Sequence, residues 1–348
     1  MVNSRRLVLL LCLTPGLTFG RGAASIAIEL GDNFSASDSL DCGTEANHDA
    51  RECVADLSWK PSDFEVRLES PEPGCGDWLV RYPSARPIGN EINDLVSMEW
   101  FAARNKQGEI CSARAVVVVH ESGRQMTAGR MIARGFNSHG LHAFLIHLPG
   151  YGVRRDEKLT DAERGLNSLQ QAIADVRRAR DAVAALPVVD ASRIGLQGTS
   201  LGGFVTATVA GLDRGYDRVF ILLAGGNLEE VVFNGAKDAA KFRQKLAEAG
   251  VTEEQIKELA RKVEPMRLAH RIEPAATWLY SGKFDDVVPP SCSFALAKAA
   301  KLPAGHHIEM PADHYSGVIY LPKVVKQFAE QMADAQDASV LDSSENEP

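Results

Sequence analysis

Six short apolar runs constrain the fold most strongly: AVVVVH (115–120), LHAFLIH (141–147), RIGLQ (193–197), RVFILLAG (218–225), ATWLYSG (276–282) and HHIEM (306–310). Near-continuous apolar strands have no water-facing side, so each must be covered above and below, and stretches of helical period separate them. The clearest stretch places Leu169, Ile173, Val176, Ala179, Val183 and Leu186 at three- and four-residue steps and stops at Pro187. The pattern predicts an α/β fold with a mostly parallel central sheet and helices on both faces. Ahead of it, FEVRLES, WLVRYP and LVSMEWFAAR are divided by Pro and Gly turns and read as antiparallel strands entering the same sheet.

Between the runs at 218–225 and 276–282 lies a charged helical insertion, about 228–264, before the penultimate strand. Thr252 and Gln255 fit a capping box, and Gly250 closes the helix before it. An insertion here sits over the carboxyl ends of the strands, where open α/β sheets bind ligands, so a lid and a solvated decoration both fit.

The 348 residues suffice for one large domain, assigned here to 63–333. With 38 basic against 46 acidic residues and no basic stripe, the chain is not expected to bind nucleic acid. Residues 1–22 combine Arg5 and Arg6 with an apolar run ending in small residues, the pattern of a signal peptide cleaved between Gly20 and Ala27. That run is short and broken by Pro15 and Gly16, so the expectation is an exported protein, periplasmic or secreted, without a stable membrane partner. Residues 23–62 read as a polar leader of unknown role, and 334–348 as a disordered acidic tail. Export permits disulfides, and pairing Cys42 with Cys53 and Cys75 with Cys111 is the simplest of three arrangements. Cys292 is then a small packed residue. No cysteine or histidine spacing suggests zinc, and neither a dinucleotide fingerprint nor a Walker A lysine occurs, so no metal or cofactor is expected.

The chemistry concentrates in RIGLQGTSLGGF (193–204), where Gly198, Ser200 and Gly202 make a Gly-x-Ser-x-Gly motif between a predicted strand and a predicted helix over 201–211. Glycines at both flanks let strand and helix approach closely, forcing the serine into a strained turn with its hydroxyl exposed. A serine hydroxyl needs a base and a group to orient that base. SGKFDDVVPP places Asp285 and Asp286 after one strand, and HHIEMPADHYSG places His314 after the next. Serine, acid, histidine is a workable chain order for residues meeting above one sheet edge.

With GTSLGG, SGKFDDVVP and ADHYSG, the chain resembles the α/β-hydrolase family, in particular its serine esterase and acyl-peptidase-like members, over about Phe64 to Met332. The resemblance implies an α/β-hydrolase fold with Ser200 as nucleophile, His314 as base and Asp285 as its orienting acid, Asp286 being the substitute. His306 and His307 fall within the last strand and read as structural. The resemblance also implies an oxyanion hole from the Leu201 N–H and one donor in HESGRQ (120–125), Glu121 or Ser122, although Glu121 stands where the family usually has glycine. In HLPGYGVRR (147–155), Tyr151 or Arg154 would touch substrate, the alternative being a turn with solvated arginines. His120, His147 and Trp278 read as packing residues. The function so implied is hydrolysis of a carboxylic ester of a small-molecule or acyl substrate through an acyl-enzyme. An acyl-peptidase or thioesterase on the same triad is the alternative, and a non-catalytic binding protein the competing class. Oligomeric state is not readable.

Overall fold

All six apolar runs become strands of one sheet in the computed structural model, which describes residues 28–157 and 168–333. The strands are β1 (Asn33–Ser37), β2 (Asp63–Glu69), β3 (Trp78–Pro83), β4 (Leu95–Phe101), β5 (Ala113–Val119), β6 (His142–Ile146), β7 (Val189–Thr199), β8 (Arg218–Leu222), β9 (Thr277–Gly282) and β10 (His307–Met310). Their order is β1-β2-β3-β4-β6-β5-β7-β8-β9-β10. β1 to β4 run antiparallel to their neighbours, and everything from β6 through β10 is parallel. This is the α/β-hydrolase fold.

The helices are α1 (His48–Leu57), α2 (Thr127–Ser138), α3 (Ser168–Ala184), α4 (Leu201–Asp213), α5 (Leu228–Asn234), α6 (Lys237–Glu248), α7 (Glu253–Lys262), α8 (Pro290–Ala299) and α9 (Leu321–Met332). The period of two along β5 splits its side chains between two cores. Ala115, Val117 and Val119 join the core shared with α3 and α4, while Val116 and Val118 join Phe136 of α2 and Phe328 of α9. Trp278 lies in this second core, stacked against His306 with ring centroids 4.6 Å apart.

From β5 the chain crosses to β6 on one side and then to β7 on the other. The crevice outside the carboxyl ends of β5 and β7 is therefore the topological switch point at which open α/β sheets hold ligands.

Two expectations need correction. Much of the segment read as a separate leader is built into the domain. β1 extends the sheet, and Ala50, Cys53 and Leu57 of α1 are fully buried in the α3–α4 core. The physical reason is electrostatic as well as apolar. Arg178 Nε donates to Asp38 at 2.8 Å, Arg271 Nη1 to Glu45 at 2.8 Å, and Arg267 Nε to Asp49 at 2.9 Å, so acidic residues of the polar leader are clamped by arginines from later elements. Second, Cys42, Cys53, Cys75 and Cys111 are free thiols. Cys53 faces the core from α1, whereas Cys75 Sγ accepts a hydrogen bond from Arg130 Nη2, so these side chains serve different surroundings. The signal-peptide and acidic-tail readings lie outside the described residues.

Candidate active site

Ser200 sits at the turn between β7 and α4 with φ 52° and ψ −116°, a combination that costs a non-glycine residue free energy. The flanking glycines impose it. A Cβ on Gly198 would lie 2.2 Å from the Gly202 carbonyl oxygen, and one on Gly202 would lie 2.3 Å from that of Val119. Strand and helix are thus in backbone contact. Ser200 N–H donates to Leu222 O at 2.9 Å, which ties the turn to β8.

The Ser200 hydroxyl lies 2.9 Å from His314 Nε2, and His314 Nδ1 lies 2.7 Å from Asp285 Oδ2. Since a carboxylate only accepts, Nδ1 carries the proton, Nε2 is the free lone pair, and the serine O–H donates to it. The other carboxylate oxygen of Asp285 accepts the N–H groups of Val287 and Val288, both at 2.9 Å. Both oxygens are engaged, so the carboxylate plane is fixed and with it the imidazole. Asp286 points elsewhere, pairing with Lys237 at 3.0 Å on the half-exposed rim. His306 and His307 stay on β10 and its approach, where His306 Nδ1–H donates to Thr277 O and His307 Nε2 shares a hydrogen bond with Ser281 Oγ.

Leu201, Ser122 and Glu121 line the same cavity as Ser200 and His314. Leu201 opens α4, so its N–H belongs to the unpaired first turn of that helix. The Glu121 carboxylate is turned onto the first turn of α2, where its two oxygens accept from Ala128 N–H at 3.1 Å and Gly129 N–H at 3.0 Å. It supplies the cap that Met126 cannot, and this explains how an acid is tolerated where a glycine is usual. Tyr151 lines the cavity, its hydroxyl donating to Ser122 O at 3.2 Å. Arg154 does not reach the site. It is fully buried, pairs with Asp175 at 2.7 Å and donates from Nη1 to the His147 carbonyl at 3.0 Å. Substrate contact by Arg154 is therefore withdrawn: a guanidinium with its own buried carboxylate and backbone acceptors is a structural element.

The cavity over Ser200 measures about 720 Å³, and its far wall comes from the insertion. Val231, Ala239, Leu246, Ile256 and Val263 line it together with Phe204 and Val205 of α4. The insertion is fastened at both ends. The Glu264 carboxylate accepts the N–H groups of Asn227, Leu228 and Met266, and the N-terminus of α6 is bound to the loops carrying the triad. There Ala236 N–H donates to Asp286 O at 2.7 Å, and the Tyr315 hydroxyl donates to Asp238 at 2.9 Å. Sequence reading missed these lining residues, although sparse apolar positions at helical spacing in charged helices were their signal.

The family model of the prolyl oligopeptidase family matches residues 133–331, more than half of the chain. The chain belongs to the prolyl oligopeptidase family. This family member is thus a serine hydrolase. No curated protein matches it significantly. Among solved structures it is similar to an acetyl xylan esterase from Paenibacillus sp. R4, at 20% identity and a TM-score of 0.59, covering 84% of this chain and 96% of that one. It is also similar to acetyl xylan esterase 1 from Thermoanaerobacterium sp. JW/SL YS485, at 16% identity and a TM-score of 0.53, over 83% and 96%. A puromycin-hydrolysing peptidase from Mycobacterium tuberculosis aligns at 18% identity and a TM-score of 0.52, over 77% of this chain but 46% of that one. At these identities the likeness concerns the fold.

Proposed function

We propose that this serine hydrolase cleaves carboxylic esters through an acyl-enzyme on Ser200. The observation that carries the reading is the continuous hydrogen-bond chain from Ser200 through His314 to Asp285. In it, His314 Nε2 takes the serine proton as Oγ attacks the acyl carbonyl, and Asp285 stabilises the imidazolium that forms. The tetrahedral oxyanion is met by the Leu201 N–H at the start of α4 and by the N–H of Ser122 or Glu121 after β5. His314 then protonates the leaving alcohol. Water repeats the cycle on the ester of Ser200, releasing the acid and restoring the serine.

Peptide cleavage uses the same triad, and the family's name favours it as the second reading. What supports the ester is the apolar character of the cavity walls, which offer few partners for the amide groups of an extended peptide. Residues 1–22 suggest that the enzyme works outside the cytoplasm. N-terminal sequencing of the protein from its host tests that part, and an intact Met1 would refute it.

The test of the central reading is intact-mass analysis after exposure to a small fluorophosphonate, wild type beside Ser200→Ala. One adduct on the wild type, none on the variant, and turnover of an ester panel above that of aminoacyl anilides are expected. Absence of an adduct on folded wild type would refute it, and preferential cleavage of anilides would move the assignment to a peptidase.

A further inference from the structure

Three features of the cavity bear on the acyl group. It is far larger than an acetyl group requires. At roughly 30 Å³ per non-hydrogen atom, the liquid share of a water molecule, about 720 Å³ holds some twenty atoms. The end farthest along α4 from Ser200 is lined by Val205, Ile256, Leu259, Ala260 and Val263, with Val205, Ile256 and Val263 buried. The Thr208 hydroxyl there is already used, since Oγ1 hydrogen-bonds to the carbonyls of Phe204 and Val263, each at 3.1 Å. The charged and polar lining is made by His314, Tyr315 and Asp238 and by Lys241 and Lys245 of α6, and Tyr315 is exposed.

The two ends of an ester are therefore distinguishable. The leaving group must sit beside His314, which protonates it, and this is the polar, half-exposed side. The acyl chain, pointing away from His314, enters the apolar end between α4 and α7. The geometry points to an unbranched acyl chain of roughly six to twelve carbons as the substrate class, held between α4 and the insertion. This inference rests on the ester reading above.

The first measurement is kcat/KM across p-nitrophenyl esters from acetate to hexadecanoate on the full chain. Each methylene taken from water is worth about 0.8 kcal/mol, so kcat/KM should rise about three- to fourfold per carbon, then level off and fall once the cavity is full. A second measurement uses Ala260→Phe and, one turn before it on α7, Ile256→Phe, both of which line the cavity. Each should lower the decanoate-to-acetate ratio of kcat/KM at least tenfold and shift the optimum to shorter chains. Labelling of each variant by the small fluorophosphonate certifies a formed site.

A protein that labels at Ser200 yet is fastest on acetate, or has a flat profile, overturns the chain-length inference and leaves the ester reading standing. Leucyl or phenylalanyl anilides cleaved faster than the best ester would give the cavity to an amino-acid side chain and overturn it too. A folded protein that neither labels nor turns over any ester overturns both readings together.

Discussion

Asp285 holds His314 by one carboxylate oxygen, 2.7 Å from Nδ1, and is itself held by the other, which accepts the backbone N–H groups of Val287 and Val288. Asparagine at 285 must place its NH₂ toward either the backbone N–H pair or His314 Nδ1. Its carbonyl will take the two N–H groups, leaving the NH₂ to face Nδ1 and forcing the imidazole into the wrong tautomer. Asp285→Asn should lower kcat by about 10³- to 10⁴-fold with KM nearly unchanged. Asp286→Asn removes only a half-exposed pair with Lys237 and should stay within about twofold. Steady-state kinetics of the two variants on one ester separate the neighbours.

Ser200 stores strain that glycine would release. At φ 52° and ψ −116° a Cβ is unfavourable, so Ser200→Gly should be more stable than Ser200→Ala by about 1 kcal/mol. Elsewhere glycine costs stability relative to alanine, so the order is reversed. Urea denaturation of the two inactive variants checks it. Equal midpoints, or a more stable alanine variant, would mean that the turn is not strained.

Fold class and the meeting of Ser200, His314 and Asp285 were legible because each has a local signature. Parallel strands buried on both faces have no polar alternation to hide them, and the close approach at Gly198 and Gly202 leaves glycine as the workable choice. What was not legible depends on pairing across long separations. Asp38, Glu45 and Asp49 look like a solvated acidic stretch until Arg178, Arg271 and Arg267 arrive from more than 130 residues away. Arg154 misled for the same reason. Its position after a strand end suggested a site wall, but Asp175 on the buried side of α3 captures it. The cavity was hidden because its far wall belongs to helices whose composition is mostly charged.

Two histidines should govern stability in mild acid. Burial pushes His120 down to about 3, and its neutral ring is matched to its partners, with Nδ1–H donating to Glu121 O and Nε2 accepting from Leu148 N–H. Burial likewise pushes His142 down to about 4, with Nε2–H shared by the carbonyls of Cys111 and Val188 while Nδ1 accepts from Trp100 and Ala103. In the unfolded chain both titrate near 6.5. Below that pH the unfolded state binds protons that the folded state refuses, so stability falls as pH drops, until about 4 for His142 and about 3 for His120. Glu99 adds to the loss lower down. Burial raises it, but hydrogen bonds from His147 and Arg130 outweigh that and hold it at about 2 against an ordinary 4.5. Urea denaturation between pH 6 and 5 should show a slope approaching about 2.7 kcal/mol per pH unit, the value for two protons taken up on unfolding. A flat profile down to pH 5 would contradict the assignment.

Glu264 closes the insertion, and its removal should be felt in both stability and selectivity. Three backbone N–H groups, of Asn227, Leu228 and Met266, depend on this one carboxylate, so Glu264→Ala leaves them unpaired at the two ends of the segment that walls the cavity. A loss of about 2 kcal/mol is expected, comparable to losing a strong helix cap. The triad, supported by β7, β9 and β10, is untouched by this change, whereas the apolar wall on α5 and α7 loses its anchor. KM for long-chain esters should therefore rise several-fold more than KM for acetate. Glu264→Gln retains acceptor oxygen for part of the set and should fall between. If Glu264→Ala slows acetate and decanoate to the same degree, the carboxylate supports the whole domain and does not set the wall.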